Sequence, residues 1–242
     1  MASFILVHGA WHGAWCWHKV VSRLSDAGHR AVAIDLPSHG ADRTPRAEVT
    51  MQRYAERVAN AIDAEREPVV LVGHSMGGLA ISEAAESRPQ RIRSLAYLSA
   101  FIPPLPGSPE AGPSDPLPLM AHTTLGADGH SLEIAPEAAT QFFYADCSDE
   151  DTAFALDALC PQATAVFGSR FELSEANFGS VPRDYIECLN DAALPPERQQ
   201  QIHQRAACRK VYRLEASHSP FFSMPGELCE ILCDIANQSA RV

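Results

Sequence analysis

The chain has 242 residues, enough for one large domain or two small ones with a substantial buried core. Apolar residues make up 46% and charged residues 20%, which excludes wholesale disorder. Nineteen Lys and Arg stand against 30 Asp and Glu, a net charge of −11, which argues against a nucleic-acid or anionic-membrane partner.

Short apolar runs alternate with amphipathic stretches from the start. Phe4-Ile5-Leu6-Val7 reads as a strand ending at His8-Gly9. Residues 17–27 carry helical periodicity at Trp17, Val20, Val21 and Leu24, and stop before Gly28. A second strand is predicted over 30–36, broken by Pro37, and a helix over 50–64 with Thr50 as N-cap. Val69-Val70-Leu71-Val72 shows no polar alternation, as expected of a strand in a parallel sheet covered on both faces. A helix is predicted over 77–86 and a strand over 94–99.

Seven prolines between Pro103 and Pro118 interrupt this rhythm and oppose regular structure. From 119 to 180 the chain reads as helical in pieces, for example 148–159, with no buried strand. The rhythm returns with a strand at 183–189, a helix at 196–206, a strand at 210–214 and a helix at 225–236. The expected architecture is α/β: a mostly parallel sheet flanked by helices, built from residues 1–103 and 183–242. Residues 104–182 form a mainly helical insertion, a cap over the C-terminal edge of the sheet, where open α/β folds place their sites.

Seven cysteines, an odd number without a CxxC pair, are read as reduced thiols. Cys229 and Cys233 share a helix face but lack further ligands for a zinc site. No apolar run reaches membrane-spanning length, and the strand at Phe4 argues against a cleaved signal peptide. A cytoplasmic protein is expected.

Gly73-His74-Ser75-Met76-Gly77 matches G-x-S-x-G, immediately after an apolar strand and opening a helix. That context is the nucleophile elbow, in which small neighbours let a strained turn push the serine into a cleft beside a helix N-terminus. A serine hydroxyl needs a base and a group to orient that base, in the chain order Ser, acid, His. Of ten histidines only His203 and His218 lie beyond residue 180. His203 sits in a polar helix and reads as a solvated surface residue. His218 follows the strand at 210–214 in a loop, where the base belongs. Asp191, just past the strand at 183–189, is the expected acid, because Asp184 and Glu187 fall within that strand. The oxyanion donors are expected to be the backbone N–H groups of Met76 and of Ala10, which follows the Gly9 turn. His8 and His74 are assigned bracing roles. Trp11, Phe142, Phe143, Phe154, Phe167 and Phe221 are candidate substrate contacts. Phe222 belongs with them as a further apolar neighbour.

Four segments carry a resemblance: His8-Gly9-Ala10-Trp11-His12-Gly13-Ala14-Trp15, Asp35-Leu36-Pro37-Ser38-His39-Gly40, Gly73 through Gly78, and Ser217-His218-Ser219-Pro220-Phe221-Phe222-Ser223-Met224-Pro225. Together they resemble the α/β-hydrolase group of plant methyl-ester esterases, hydroxynitrile lyases and bacterial pyrethroid-hydrolysing carboxylesterases, over almost the whole chain. The resemblance implies a serine carboxylesterase acting on small to medium apolar esters through Ser75, His218 and Asp191. It implies no metal or organic cofactor, and a homodimer. The lyases keep the same triad, but the S-selective ones carry a threonine at the position of Gly9 and a lysine directly after the catalytic histidine. The R-selective type carries an asparagine at the Gly9 position. Gly9 and Ser219 stand at those places here, which favours the esterase. A non-catalytic binding member of the fold would be marked by a lost triad residue, and none is lost.

Overall fold

A computed structural model of the chain describes residues 1–105 and 116–238. Six strands form one parallel sheet: β1 (Ser3–Val7), β2 (Arg30–Ile34), β3 (Val69–His74), β4 (Ile92–Leu98), β8 (Arg183–Cys188) and β9 (Lys210–Leu214). Their order is β2-β1-β3-β4-β8-β9. Every residue of β3 is buried, as its unbroken apolar run requires, and the strand lies centrally, with Val7 opposite Gly73 and Gly73 opposite Tyr97.

Helices α1 (His18–Asp26), α2 (Met51–Ala64), α3 (Gly77–Ser87), α6 (Pro196–Arg205) and α8 (Pro225–Gln238) belong to this core, with a single turn, α7 (Pro220–Ser223), ahead of the last. Two helix pairs, α1 with α8 and α2 with α3, cover the sheet. The predicted cap of α2 is present: Thr50 Oγ1 accepts from the Arg53 N–H at 3.2 Å. Burial of the α1 positions Val20 and Leu24 against α8 follows from their spacing of four, one turn of helix.

The insertion differs from its sequence reading in one respect. Besides α4 (Pro136–Phe143) and α5 (Asp149–Ala158) it contains a small antiparallel sheet: β5 (Thr123–Leu125), β6 (Ser131–Ile134) and β7 (Gln162–Ala163), in that order. These strands are two to four residues long, too short for a period-two pattern to emerge. Ser148 caps α5, accepting from the Asp151 N–H. Much of the proline-rich stretch lies outside the described residues; a 3₁₀ turn closes it at Pro118–His122.

Among the described residues no helix is long and apolar enough to cross a membrane. None of their His, Cys, Asp and Glu groups forms a metal-holding cluster, and all seven cysteines are free thiols. His203 is a correction to the sequence reading: its side chain is only 10% exposed. It packs on Tyr185 and meets Glu187 Oε1 at 3.3 Å, because that face of α6 lies on β8. Asp184 and Glu187, both buried in β8, pair with Arg209 and Arg213.

Candidate active site

Ser75 sits between the end of β3 and the start of α3 with φ of 53°, left-handed backbone that a side-chain-bearing residue rarely adopts. Neighbouring strand ends hold it there. Its N–H donates to Leu98 O at 3.2 Å, and its own C=O accepts from the Gly78 and Phe101 N–H groups at 3.1 Å each. Gly77 is required because a Cβ there would lie 2.5 Å from His8 O, where α3 closes on the end of β1.

The loop after β9 carries His218, which is almost fully buried. Its Nδ1–H donates to Asp191 Oδ2 at 2.6 Å. The other Asp191 oxygen accepts from the Ala193 and Leu194 N–H groups, both at 2.8 Å, and Ser99 Oγ donates to Oδ2 at 2.5 Å. His74 ties this loop to the elbow: its Nε2–H donates to His218 O at 2.9 Å, and the two rings lie 4.5 Å apart. From the insertion, Asp146 Oδ2 accepts from the Ser217 N–H at 2.8 Å, and Asp146 Oδ1 from the Ser217 hydroxyl.

The turn after β1 is built by histidines. His8 Nδ1–H donates to Gly9 O at 2.8 Å while its Nε2 accepts from the Leu36 N–H at 3.1 Å, which fixes the tautomer. His12 Nδ1–H donates to Ala10 O at 2.8 Å, and its Nε2 meets Tyr144 OH at 2.8 Å. Burial lowers the pKa of all four neighbouring imidazoles. His8 and His74 are held well below the usual histidine range, His12 is lowered to about 3, and His39 is lowered too. Further depression comes from the other rings, His39 acting on His8 and His218 on His74. These rings are neutral hydrogen-bonding struts at ordinary pH.

Ser75, Met76, Ala10 and Trp11 share the wall of one cavity of about 310 Å³. The rest of that wall is almost wholly apolar and includes Leu79, Phe101, Leu119, Met120, Val166, Phe167 and Phe171. Of the predicted aromatic contacts the structure brings Trp11 and Phe167 to this cavity. The other five stand elsewhere: Phe222 packs on Trp15 and Phe221. Phe143 fills the space between Trp11 and His218, 5.7 Å from each ring. Phe142 packs on His122, and Phe221 is core beneath His74 and Trp17. Phe154 is 45% exposed on the outer side of α5, against Trp15. A larger groove of about 600 Å³, between α2, α3 and the 165–172 segment, has charged walls (Glu56, Glu83, Arg88, Glu172) and holds none of the predicted site residues.

Sequence reasoning missed Ser99 and Asp146. Ser99 directly follows β4, whose end lies beside β8 (Leu98 opposite Ile186), but that register is invisible in the sequence. Asp146 lies 71 residues from Ser217, and no local pattern marks it.

A model of the alpha/beta hydrolase family matches residues 4–231. Methylesterase 7 of Arabidopsis thaliana is 32% identical over 253 residues, covering 98% of this chain and 97% of that protein. The solved structure of a pyrethroid hydrolase from Sphingobium faniae JZ-2 superposes with a TM-score of 0.88 at 30% identity, covering 100% of this chain and 99% of that one. Polyneuridine aldehyde esterase does so with a TM-score of 0.87 at 28% identity, covering 98% and 99%.

Proposed function

This chain belongs to the alpha/beta hydrolase family and is a carboxylic ester hydrolase, and from that premise we propose that Ser75 is its nucleophile, His218 its base and Asp191 the acid that orients His218. The carrying observation is the buried Asp191–His218 hydrogen bond on a loop bonded to His74, beside a left-handed Ser75 that opens on an apolar cavity.

The chemistry is acyl transfer. His218 takes the Ser75 proton as the Ser75 oxygen forms a bond to the ester carbonyl carbon. The carbonyl electron pair moves to oxygen, where the Met76 and Ala10 N–H groups receive it. The orientation of Ala10 follows from its peptide. Gly9 O is held by His8, so in a trans peptide the Ala10 N–H faces the opposite way. His218 then returns its proton to the leaving alcohol, and the acyl-enzyme forms. Water, deprotonated by His218, attacks the acyl carbon; the bond to the Ser75 oxygen breaks, that oxygen recovers the proton from His218, and the acid leaves. Loss of one oxyanion donor typically costs about 10²–10³ in rate. Asp191 fixes the imidazole tautomer and stabilises its charged form.

The substrate class is a small to medium apolar ester, alkyl or aryl. The cavity of about 310 Å³ lies at the small end of ligand pockets and offers almost only carbon to its occupant. Simple methyl esters fit the relatives named methylesterases, and a pyrethroid-like ester fits the neighbour named for that activity.

The test is hydrolysis of short p-nitrophenyl esters, an apolar methyl ester and one pyrethroid-like ester by the wild type and by Ser75→Ala. Turnover lost in the variant, with fluorophosphonate labelling of the wild type alone, is the expected result. A folded wild type that neither turns over esters nor takes the label overturns it.

A further inference from the structure

Trp11 follows Ala10 in the chain, and its backbone stands at φ of 62°. A bulky residue keeps that conformation only where its surroundings over-determine it. Every polar atom of Trp11 is held from the insertion. Its N–H donates to Gln162 Oε1 at 3.3 Å, its C=O accepts from the Cys160 N–H at 3.0 Å, and its indole N–H donates to Leu132 O at 2.9 Å. Leu132 and Gln162 are register partners on β6 and β7, so these anchors move as one piece.

The peptide joining Ala10 to Trp11 is thus gripped on both sides. The core holds its carbonyl through His12, and the insertion holds its N–H through Gln162. Gln162 is itself completely buried. Its Oε1 also lies 3.0 Å from His39 Nε2, and its Nε2 donates to Tyr54 OH at 3.2 Å and Ala163 O at 3.1 Å. A buried amide whose acceptor and both donors are engaged cannot rotate without leaving polar groups unpaired.

We propose that Gln162 is a positioning residue for ester hydrolysis: from the insertion it locks Trp11 in the left-handed conformation and so keeps the preceding Ala10 N–H aimed at the oxyanion. This rests on the reading of Ala10 as an oxyanion donor. The insertion then completes the catalytic centre as well as roofing it. A tetrahedral oxyanion feels the loss of Gln162, whereas a planar, uncharged occupant of the same cavity does not.

The experiment compares wild type, Gln162→Leu and Gln162→Glu. It measures kcat and KM on a short p-nitrophenyl ester and inhibition constants for two apolar ketones of matched shape. In a trifluoromethyl ketone the Ser75 oxygen adds to the carbonyl carbon, the Ser75 proton goes to His218 and the electron pair goes to oxygen, so the adduct carries the oxyanion. The corresponding methyl ketone binds without reacting appreciably.

In Gln162→Leu, kcat falls about 10²-fold and the trifluoromethyl ketone weakens by a similar factor. KM and methyl ketone affinity stay within about threefold. Gln162→Glu, whose carboxyl keeps an oxygen acceptor for the Trp11 N–H, recovers most of kcat. Inhibition constants do not depend on the folded fraction, so partial unfolding cannot imitate this pattern. An unchanged kcat in Gln162→Leu, equal weakening of both ketones, or an equal loss of kcat in the two variants overturns the proposal. A wild type that neither hydrolyses the ester nor binds the trifluoromethyl ketone overturns the esterase reading itself, an outcome distinct from an active wild type indifferent to Gln162.

Discussion

Ser99 Oγ and His218 Nδ1 donate to the same oxygen of Asp191, at 2.5 and 2.6 Å. Two backbone amides occupy the other oxygen, so the carboxylate is held by four donors and has no rotational freedom left. Hydrogen bonds to a charged group contribute about 1.5–3 kcal/mol. Ser99→Ala is expected to lower kcat about tenfold with KM little changed, since the imidazole loses part of its alignment. Asp191→Asn should lower it by about 10³–10⁴, because the wrong tautomer is then favoured. Steady-state kinetics on a p-nitrophenyl ester reads both, and an unaffected Ser99→Ala would mean that the two amides suffice.

Stability should collapse in mild acid. His8, His12, His39 and His74 are held neutral in the fold, chiefly by burial. In the unfolded chain each takes up a proton near pH 6.5, whereas native His12 resists protonation down to about 3. Unfolding therefore binds protons, and stability is lost as pH falls below about 6.5: His12 contributes roughly 1.4 kcal/mol per pH unit down to about 3, and the other three rings add to the loss in the same direction. Melting temperatures between pH 7 and pH 5 check this. A flat profile contradicts four neutral buried imidazoles.

Asp146 holds the histidine loop from outside the core, through Ser217. Asp146→Ala should lower kcat/KM about tenfold by loosening the residue before His218, with less effect on melting than on rate. Asp146→Asn keeps one acceptor and should fall between. Equal losses of activity and stability would make Asp146 a packing residue only.

Gly9 has no room for a side chain: a Cβ there would lie 2.8 Å from Ser75 Cβ and 2.9 Å from His74 Nδ1. Gly9→Ala is expected to destabilise by about 1–3 kcal/mol, the usual range for overpacking, and to lose most ester turnover as Ser75 is displaced. Thermal melting and kcat on the same preparation check both. Full activity in Gly9→Ala would show that the turn can shift.

Strands and helices of the core were legible because their periods and punctuation are local. The apolar run at Val69 and the helix cap at Thr50 lie where the residues place them. Ser75, Asp191 and His218 are expected from an elbow and a fixed chain order, and the structure joins the last two by a hydrogen bond. What the sequence hides is contact across the insertion. Gln162 reaches Trp11 over 151 residues, and Asp146 reaches Ser217 over 71. The aromatic residues show the same limit. Phe167 and Phe154 look alike in sequence, yet one lines the cavity and the other faces outward from α5. Which face a side chain takes depended on how the insertion docks, and no periodicity encodes that.

Three of the side-chain-bearing residues with left-handed backbone, Trp11, Ser75 and Ser99, surround the site. Each such conformation costs roughly 1–2 kcal/mol relative to an ordinary one. Selection for heat resistance alone would therefore favour glycine at these positions and erode turnover while the fold grew tougher. A thermostability screen of this protein that does not also score ester cleavage should accumulate its substitutions around Ser75.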